Sequence, residues 1–136
     1  MKLVEPAIYE LLKTLAAGAV YAMRAPQGAT GPFIIFQRVD GERWRHINGP
    51  TGICQASIQI DCYATDYYES KELATEVEEI LDGYANTVYY GDESPQEFVK
   101  IGGISLQTDA DLFDQTDEPF LFRSSSTYLV TYNQES

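Results

Sequence analysis

The chain has 136 residues, of which 44% are hydrophobic and 12% aromatic, and its 21 acidic and 9 basic side chains give a formal charge of -12. The apolar content excludes a disordered chain, and the length predicts a single domain, residues 1–136, whose core needs no metal or disulfide. A negative field repels phosphate, which argues against nucleic-acid binding. No run approaches the ~20 apolar residues of a membrane span, and the charged start does not fit a signal peptide, so we expect a soluble protein without membrane contact.

The first predicted elements are a short helix and two strands. Residues 4–16 predict an amphipathic helix with a proline in its first turn. Its apolar residues recur at helical spacing: Ile8, Leu11, Leu12 and Leu15. VYAMR at 20–24 predicts a short strand, and FIIFQRVD at 33–40 predicts a longer one that is apolar on both faces. The segment between the strands, rich in proline and glycine, predicts a connection.

Residues 40–52 predict a protruding loop or ribbon. The segment GERWRHINGPTG is too long for a tight hairpin turn. In and just before it lie the locally basic and aromatic side chains of an acidic protein: Arg38, Arg43, Trp44, Arg45 and His46. Arginine and tryptophan often anchor protein interfaces. Two interpretations remain open here, an interface and a solvated loop with Trp44 folded back over the core.

The run ICQASIQIDCYAT at 53–65 contains both cysteines of the chain. Its strict alternation predicts a strand with one apolar face, formed by Cys54, Ala56, Ile58, Ile60, Cys62 and Ala64. Eight residues of strand separate the two thiols by roughly 26 Å, whereas a disulfide needs Cα atoms within about 7 Å. We therefore predict two buried cysteines that act as small hydrophobic residues, and neither a disulfide nor a shared metal site.

A second helix is predicted over DYYESKELATEVEEILDG, residues 66–83. Asp66 and Glu69 have the spacing of a capping box, and Gly83 fits a C-terminal stop. One face is apolar, with Leu73, Ala74, Val77, Ile80, Leu81 and Tyr84, and the opposite face is acidic, with Glu72, Glu76, Glu79 and Asp82. The acidic face is either solvated or the partner of a basic surface, since carboxylates in a last turn oppose the helix dipole.

The remaining chain predicts two strands separated by an acidic connection. Residues 98–109 form the first, with a bulge at Gly102 and Gly103, and residues 120–134 form the last. The acidic residues between them suggest either calcium binding or a solvated loop: Asp109, Asp111, Asp114, Asp117 and Glu118. The predicted fold is α+β, a mainly antiparallel sheet of four to five strands packed against two helices, in the order α-β-β-β-α-β-β.

No motif for catalysis or for a cofactor is present. His46 stands alone, and the sequence contains no glycine-rich phosphate loop, nucleophile elbow or HExxH pair. We therefore predict a protein that is not an enzyme and has no cofactor and no metal.

Three stretches, VYAMRAPQGATGPFIIFQ, QIDCYATDYYESKELATEVEEIL and the closing YLVTY, resemble the tail-completion or tail-terminator proteins of long-tailed bacteriophages, a family also found in prophages and gene-transfer particles. The resemblance covers nearly the whole chain. It implies a virion protein, assembled in the bacterial host cytoplasm, that forms a ring of commonly six copies. Such a ring caps the head-proximal end of the tail tube, stops its polymerisation and offers a surface to the head connector protein.

A ring needs heterologous contacts, in which one patch of a subunit meets a different patch of its neighbour. We expect the basic segment Arg38–His46 to meet the acidic helix residues Glu72, Glu76, Glu79 and Asp82 of the next copy, with the polar face of strand 53–64 as a second candidate for contact by sheet extension. The alternatives are another head-tail connector or minor tail component, and a small enzyme or ligand-binding module with a site between subunits.

Overall fold

The computed structural model describes residues 4–26, 28–29, 31–46, 49–91, 94–114 and 121–133, with the backbone alone at 40–46, 49–52 and 112–114. The elements are α1 (Glu5–Leu12), a 3-10 turn (Leu15–Gly18), β1 (Val20–Ala22), β2 (Phe33–His46), β3 (Gly49–Ala64), α2 (Tyr67–Leu81), β4 (Thr87–Tyr90), β5 (Glu97–Asp114) and β6 (Leu121–Asn133). Neither α-helix of the described chain has the length and apolarity needed to cross a membrane.

The strands form one six-stranded sheet in the order β1-β2-β3-β6-β5-β4. All neighbours are antiparallel except β1 and β2, which are parallel. Helix α1 contacts both edge strands, β1 and β4, so the sheet curls until its two edges approach the same helix. The α+β class and the two helices are confirmed.

The predicted strand count of four to five was wrong, because the sheet has six strands. The missed strand is TVYY, Thr87–Tyr90, which lies in a stretch predicted to be turns and pairs with only four residues of β5. Four residues are too few to show a period. The parallel pairing of β1 was also missed, because it depends on where the connection after β1 returns the chain and not on the residues of the strand.

One face of the sheet is buried beneath the two helices. The predicted apolar face of β3 is confirmed, since Ile58 is fully buried and its neighbours on that face are at most 2% exposed. Both cysteines are buried on this face, and they do not form a disulfide with each other. On β6 the burial alternates in the same way, so Tyr128, Val130 and Tyr132 belong to the same core.

Helix α2 begins and ends as predicted. The Asp66 carboxylate accepts a hydrogen bond of 3.1 Å from the backbone N–H of Glu69, and Gly83 has a φ of 84° just beyond the last turn. That backbone conformation favours glycine because glycine has no Cβ. The buried residues of α2 are Ser70, Leu73, Val77 and Leu81, which face the sheet.

Of the two forms expected for residues 40–52, the described residues adopt the ribbon. Strand β2 continues to His46 and β3 begins at Gly49, with Arg43 opposite Cys54 in the ladder and residues 47–48 outside the described residues. The acidic connection begins later than predicted, because β5 continues past the predicted end at Asp109 and places Asp111 and Asp114 in the strand as well. In both places cross-strand pairing overrides a polar local sequence.

Candidate assembly interface

Strand β2 has an outer edge that is mostly open. On that side β1 pairs only with Ile34–Phe36, and the last backbone bond runs from the N–H of Met23 to the carbonyl of Phe36. Among the described residues no strand continues this pairing along 37–46, although the inner edge of β2 stays paired with β3 almost to its end. The backbone N–H and C=O groups of an open edge can pair with another strand.

A second open strand edge belongs to β5, towards the other end of the strand order. Strand β4 pairs with residues 97–100, and the segment after α2 covers the next residues. There Gly83 donates to the carbonyl of Ile104, and the carboxylate of Asp82 accepts a bond of 3.0 Å from the N–H of Leu106. Within the described chain no backbone group pairs with the outer edge at 107–114, whereas the inner edge is paired with β6 as far as Asp114.

The two open edges differ in charge. The β2 edge contains Arg38, Arg43 and Arg45, with Asp40 and Glu42 between them, and the β5 edge contains Asp109, Asp111 and Asp114 but no basic residue. The structure describes the side chains of three of these residues, and all three are exposed: Arg38, Asp109 and Asp111. Opposite charge on two complementary surfaces favours their association.

The ladder assigns these residues to faces of the sheet. Arg38 is opposite Ile58, Asp109 is opposite Ser126 and Asp111 is opposite Ser124, and each of these partners is buried on the face that the helices cover. Ladder partners in an antiparallel pair share a face. The exposed arginine of one edge and the two aspartates of the other therefore belong to the same face.

The acidic helix residues do not form one patch. Glu72, Glu76, Glu79 and Asp82 are all exposed, but they divide between two sides of α2. Glu72 and Glu76 border Ala16 and Pro32, in the turn region after α1. Asp82 lies instead at β5, where it caps the N–H of Leu106.

Another acidic residue, Glu78, lies on the β5 side of α2. It lines a shallow depression together with Asp109, Asp111 and serines of β6. Glu78 was not among the predicted interface residues, although its position four residues after Ala74 could have placed it next to the apolar stripe. The acidic surface beside the open β5 edge thus includes Glu78 and Asp82.

The side of α2 that lies along β5 is fastened to it through Asp111. The Tyr67 hydroxyl donates to the Asp111 carboxylate at 2.8 Å and the Lys71 ammonium approaches the same group at 3.0 Å. These bonds, first that of Tyr67 and then that of Lys71, lower the pKa of Asp111, and the bond to Asp111 raises the pKa of Tyr67 and of Lys71. The cluster holds the free part of β5 against the helix.

The predicted basic residues lie towards the opposite edge of the sheet from this acidic surface. Arg38 is exposed on β2, and Arg43, Trp44, Arg45 and His46 occupy the ribbon, with side chains outside the described residues. Three strand intervals separate β2 from β5 in the sheet order. The fold therefore separates the two charged surfaces within one chain by the two intervening strands, β3 and β6.

The polar face of β3, the other predicted contact, is already partly occupied within the chain. Gln55 donates to Thr131 at 3.4 Å and Gln59 donates to Asp61 at 3.0 Å. The ring of Tyr63 stacks on Phe33 with centroids 4.8 Å apart. Asp61 is only 6% exposed, so this face is less available than either strand edge.

An open groove of about 880 Å³ lies between α1 and the two sheet edges. Its charged lining includes Glu5, Glu10, Lys13 and Arg24, and Glu10 and Lys13 form an ion pair of 2.7 Å. No group of three or more metal-ligating side chains occurs in the described part of the chain. Of the residues in the calcium hypothesis, Asp117 and Glu118 lie outside the described residues, and Asp111 binds Tyr67 and Lys71.

Comparison with known proteins gives a family and a fold. The sequence model of the family described as "Tail completion protein gp17" matches residues 6–121. Among solved structures, a chain of the "Virion of native gene transfer agent (GTA) particle" superposes with a TM-score of 0.66 at 15% sequence identity, covering 93% of this chain and 91% of that one. No curated protein sequence matches the chain.

Proposed function

Because this chain belongs to the tail completion protein gp17 family, and is thus a structural protein of a phage tail, we propose that it caps the head-proximal end of the tail tube. In this role it forms a ring, ends tube polymerisation and offers its outer surface to the head connector protein. It is a virion component, assembled in the cytoplasm of the bacterial host. Its partners are other copies of itself, the tail tube protein and the connector, and the function requires no catalysis.

The observation that carries the ring is the pair of dissimilar open edges on β2 and β5. A contact between unlike patches repeats from copy to copy and closes into a ring when the rotation permits. The basic strand edge and the acidic strand edge look outward in opposite directions along the same sheet, as a repeating contact between unlike edges requires. We propose six copies in the ring.

In this ring the ribbon residues Arg38, Arg43, Trp44, Arg45 and His46 of one copy contact the acidic surface of the next, on the helix that includes Glu72, Glu76, Glu79 and Asp82. The charge difference steers the copies into one orientation. The contact is partly exposed, and added salt therefore weakens it.

Light scattering and negative-stain imaging of the purified protein, alone and with tail tube protein, test the cap. A ring under either condition, and tubes whose growth stops when the protein is added, support it. A monomer under both conditions that leaves tube growth unchanged would contradict it.

The charge contact is tested by the double variant Arg43→Glu with Arg45→Glu. We expect the ring to dissociate, or to survive only at low salt. Its control is Arg24→Glu with Lys100→Glu, which changes the net charge equally at two exposed positions outside the ribbon. An oligomer that is unchanged by the ribbon variant rejects this pairing of surfaces.

A further inference from the structure

We infer that neighbouring copies join through their backbones: the open edge of β2 (37–46) of one copy adds to the open edge of β5 (107–114) of the next, so that one sheet continues from copy to copy. This inference rests on the proposed ring and specifies how its subunits bind one another. The occupant of each edge is a second copy of the same chain. Three features of the described residues support it.

Strand direction is the first feature. Neighbours from β2 to β5 are antiparallel, so β2 and β6 run one way and β3 and β5 run the other. A β2 strand placed beside the β5 strand of the preceding copy, with both sheets facing the same way, is therefore antiparallel to it. The alternation continues through the junction, and every copy keeps its helices on the same side.

The distribution of charge between the two faces is the second feature. In the ladder, Arg38 and Arg43 stand opposite Ile58 and Cys54, on the same helix-covered face as Asp109 and Asp111. In a continuous sheet the basic positions of one copy and the acidic positions of the next thus share a face.

The acidic positions of β2 belong to the other face. Asp40 stands opposite Ser57 and Glu42 opposite Gln55, and the corresponding face of β5 has the uncharged Thr108 and Ala110. Like charges directly opposite each other destabilise a pair of strands. The proposed junction brings unlike charges together and keeps these acidic groups apart.

The position of α2 is the third feature. Lys71, Thr75 and Glu78 border the depression that Asp109 and Asp111 also line, so a strand added to β5 lies directly beside this side of the helix. The contact between the basic ribbon and the acidic helix then follows from the strand pairing. It involves Glu78 and Asp82, whereas Glu72 and Glu76 lie on the far side of α2.

The positions of the open edges also fix the tilt of the strands. Gln37 is level with Gln59, Thr127 and Thr108 through the ladder, so the two open edges lie toward opposite ends of the sheet. To join their centres, each copy must shift along the strand direction by about seven residues, roughly 23 Å, relative to its neighbour. The four strands β2, β3, β6 and β5 of one copy span about 19 Å across the sheet. The strands would then lie at about 50° to the ring axis, near the tilt of about 35–45° found in closed barrels.

Hydrogen exchange of the assembled ring against the monomer tests the pairing. We expect new protection of backbone amides within 38–46 and 107–113 on assembly, with no change at β4. A ring that forms without new protection at these edges overturns the inference and leaves the cap intact. If no ring forms with tube protein present, the cap itself fails, so the two failures are distinguishable.

Disulfide trapping tests the faces. In a Cys54→Ala, Cys62→Ala background, which prevents pairing with the native Cys54 opposite Arg43, chains carrying Arg43→Cys with Asp109→Cys, or Arg43→Cys with Asp111→Cys, should give a ladder of covalent oligomers on oxidation. The matched controls pair Arg43→Cys with Thr108→Cys or with Ala110→Cys, on the other face, and should give at least tenfold less. Equal ladders from both sets, or none from either, would overturn the face assignment.

Discussion

The helix-covered face of the sheet and the two open edges illustrate different uses of the same strands. On the face, the chain buries its own apolar side chains, and residues such as Ile58 and Val130 are inaccessible to solvent. Along the edges at 37–46 and 107–114 it leaves backbone groups and unlike charges for a partner. Stability therefore depends on the face, whereas the proposed assembly depends on the edges, and substitutions should separate the two.

The largest expected effect comes from the centre of the face. Ile58→Ala should lower the free energy of unfolding by about 2–5 kcal/mol, because it removes buried methyl groups and leaves a cavity. Urea denaturation measures the change. The control is Ser57→Ala, on the opposite face of the same strand, for which we expect about 0.5 kcal/mol or less.

Equal losses from these two variants would contradict the assignment of faces. At a concentration where enough Ile58→Ala protein stays folded, its ring should still form, because the variant leaves both edges unchanged.

The next largest expected effect is on the rate at which the Cys62 thiol is labelled. Burial, with smaller contributions from Asp61 and Glu76, raises the pKa of its thiol to about 12. Because only the thiolate is nucleophilic, the folded chain should react with iodoacetamide about a thousandfold more slowly than an ordinary thiol. Mass spectrometry of a Cys54→Ala chain follows Cys62 alone, and urea should restore fast labelling. Fast labelling of the folded chain would show that this part of the face is open.

The cap of α2 has a smaller effect. Asp66→Ala removes the acceptor of the Glu69 N–H and should cost about 1 kcal/mol of stability. Circular dichroism during urea denaturation measures it. Thr65→Ala, one residue earlier and also exposed, is the control, and a loss as large as that of Asp66→Ala would mean that the cap contributes nothing specific.

Much of the face could be predicted from the sequence, and the edges could not. Alternation on β3 identified the six apolar residues that it buries, though not the buried Asp61 of its polar face, and Asp66 with Gly83 identified the ends of α2, because these signals are local. The length of the β2–β3 ribbon and the strand at Thr87–Tyr90 depend on pairing with residues far along the chain. The sequence contained the charges of the proposed interface, but Glu78 and Asp109 could be placed beside each other only from the fold.

The smallest expected effect concerns the Asp111 cluster that holds β5 to α2. The Tyr67 and Lys71 bonds lower the pKa of Asp111 in the folded chain, so they stabilise the fold above the ordinary carboxyl pKa, and this stabilisation is lost as the pH falls through the lowered value. Asp111→Asn should therefore shift the urea midpoint slightly at about pH 7 and not at all well below the usual carboxyl range of about 4. Since the group is exposed, water screens most of the interaction. Glu72→Gln, which is exposed on the other side of α2, is the control, and a shift of the same size and pH dependence there would mean that general charge, not this cluster, is responsible.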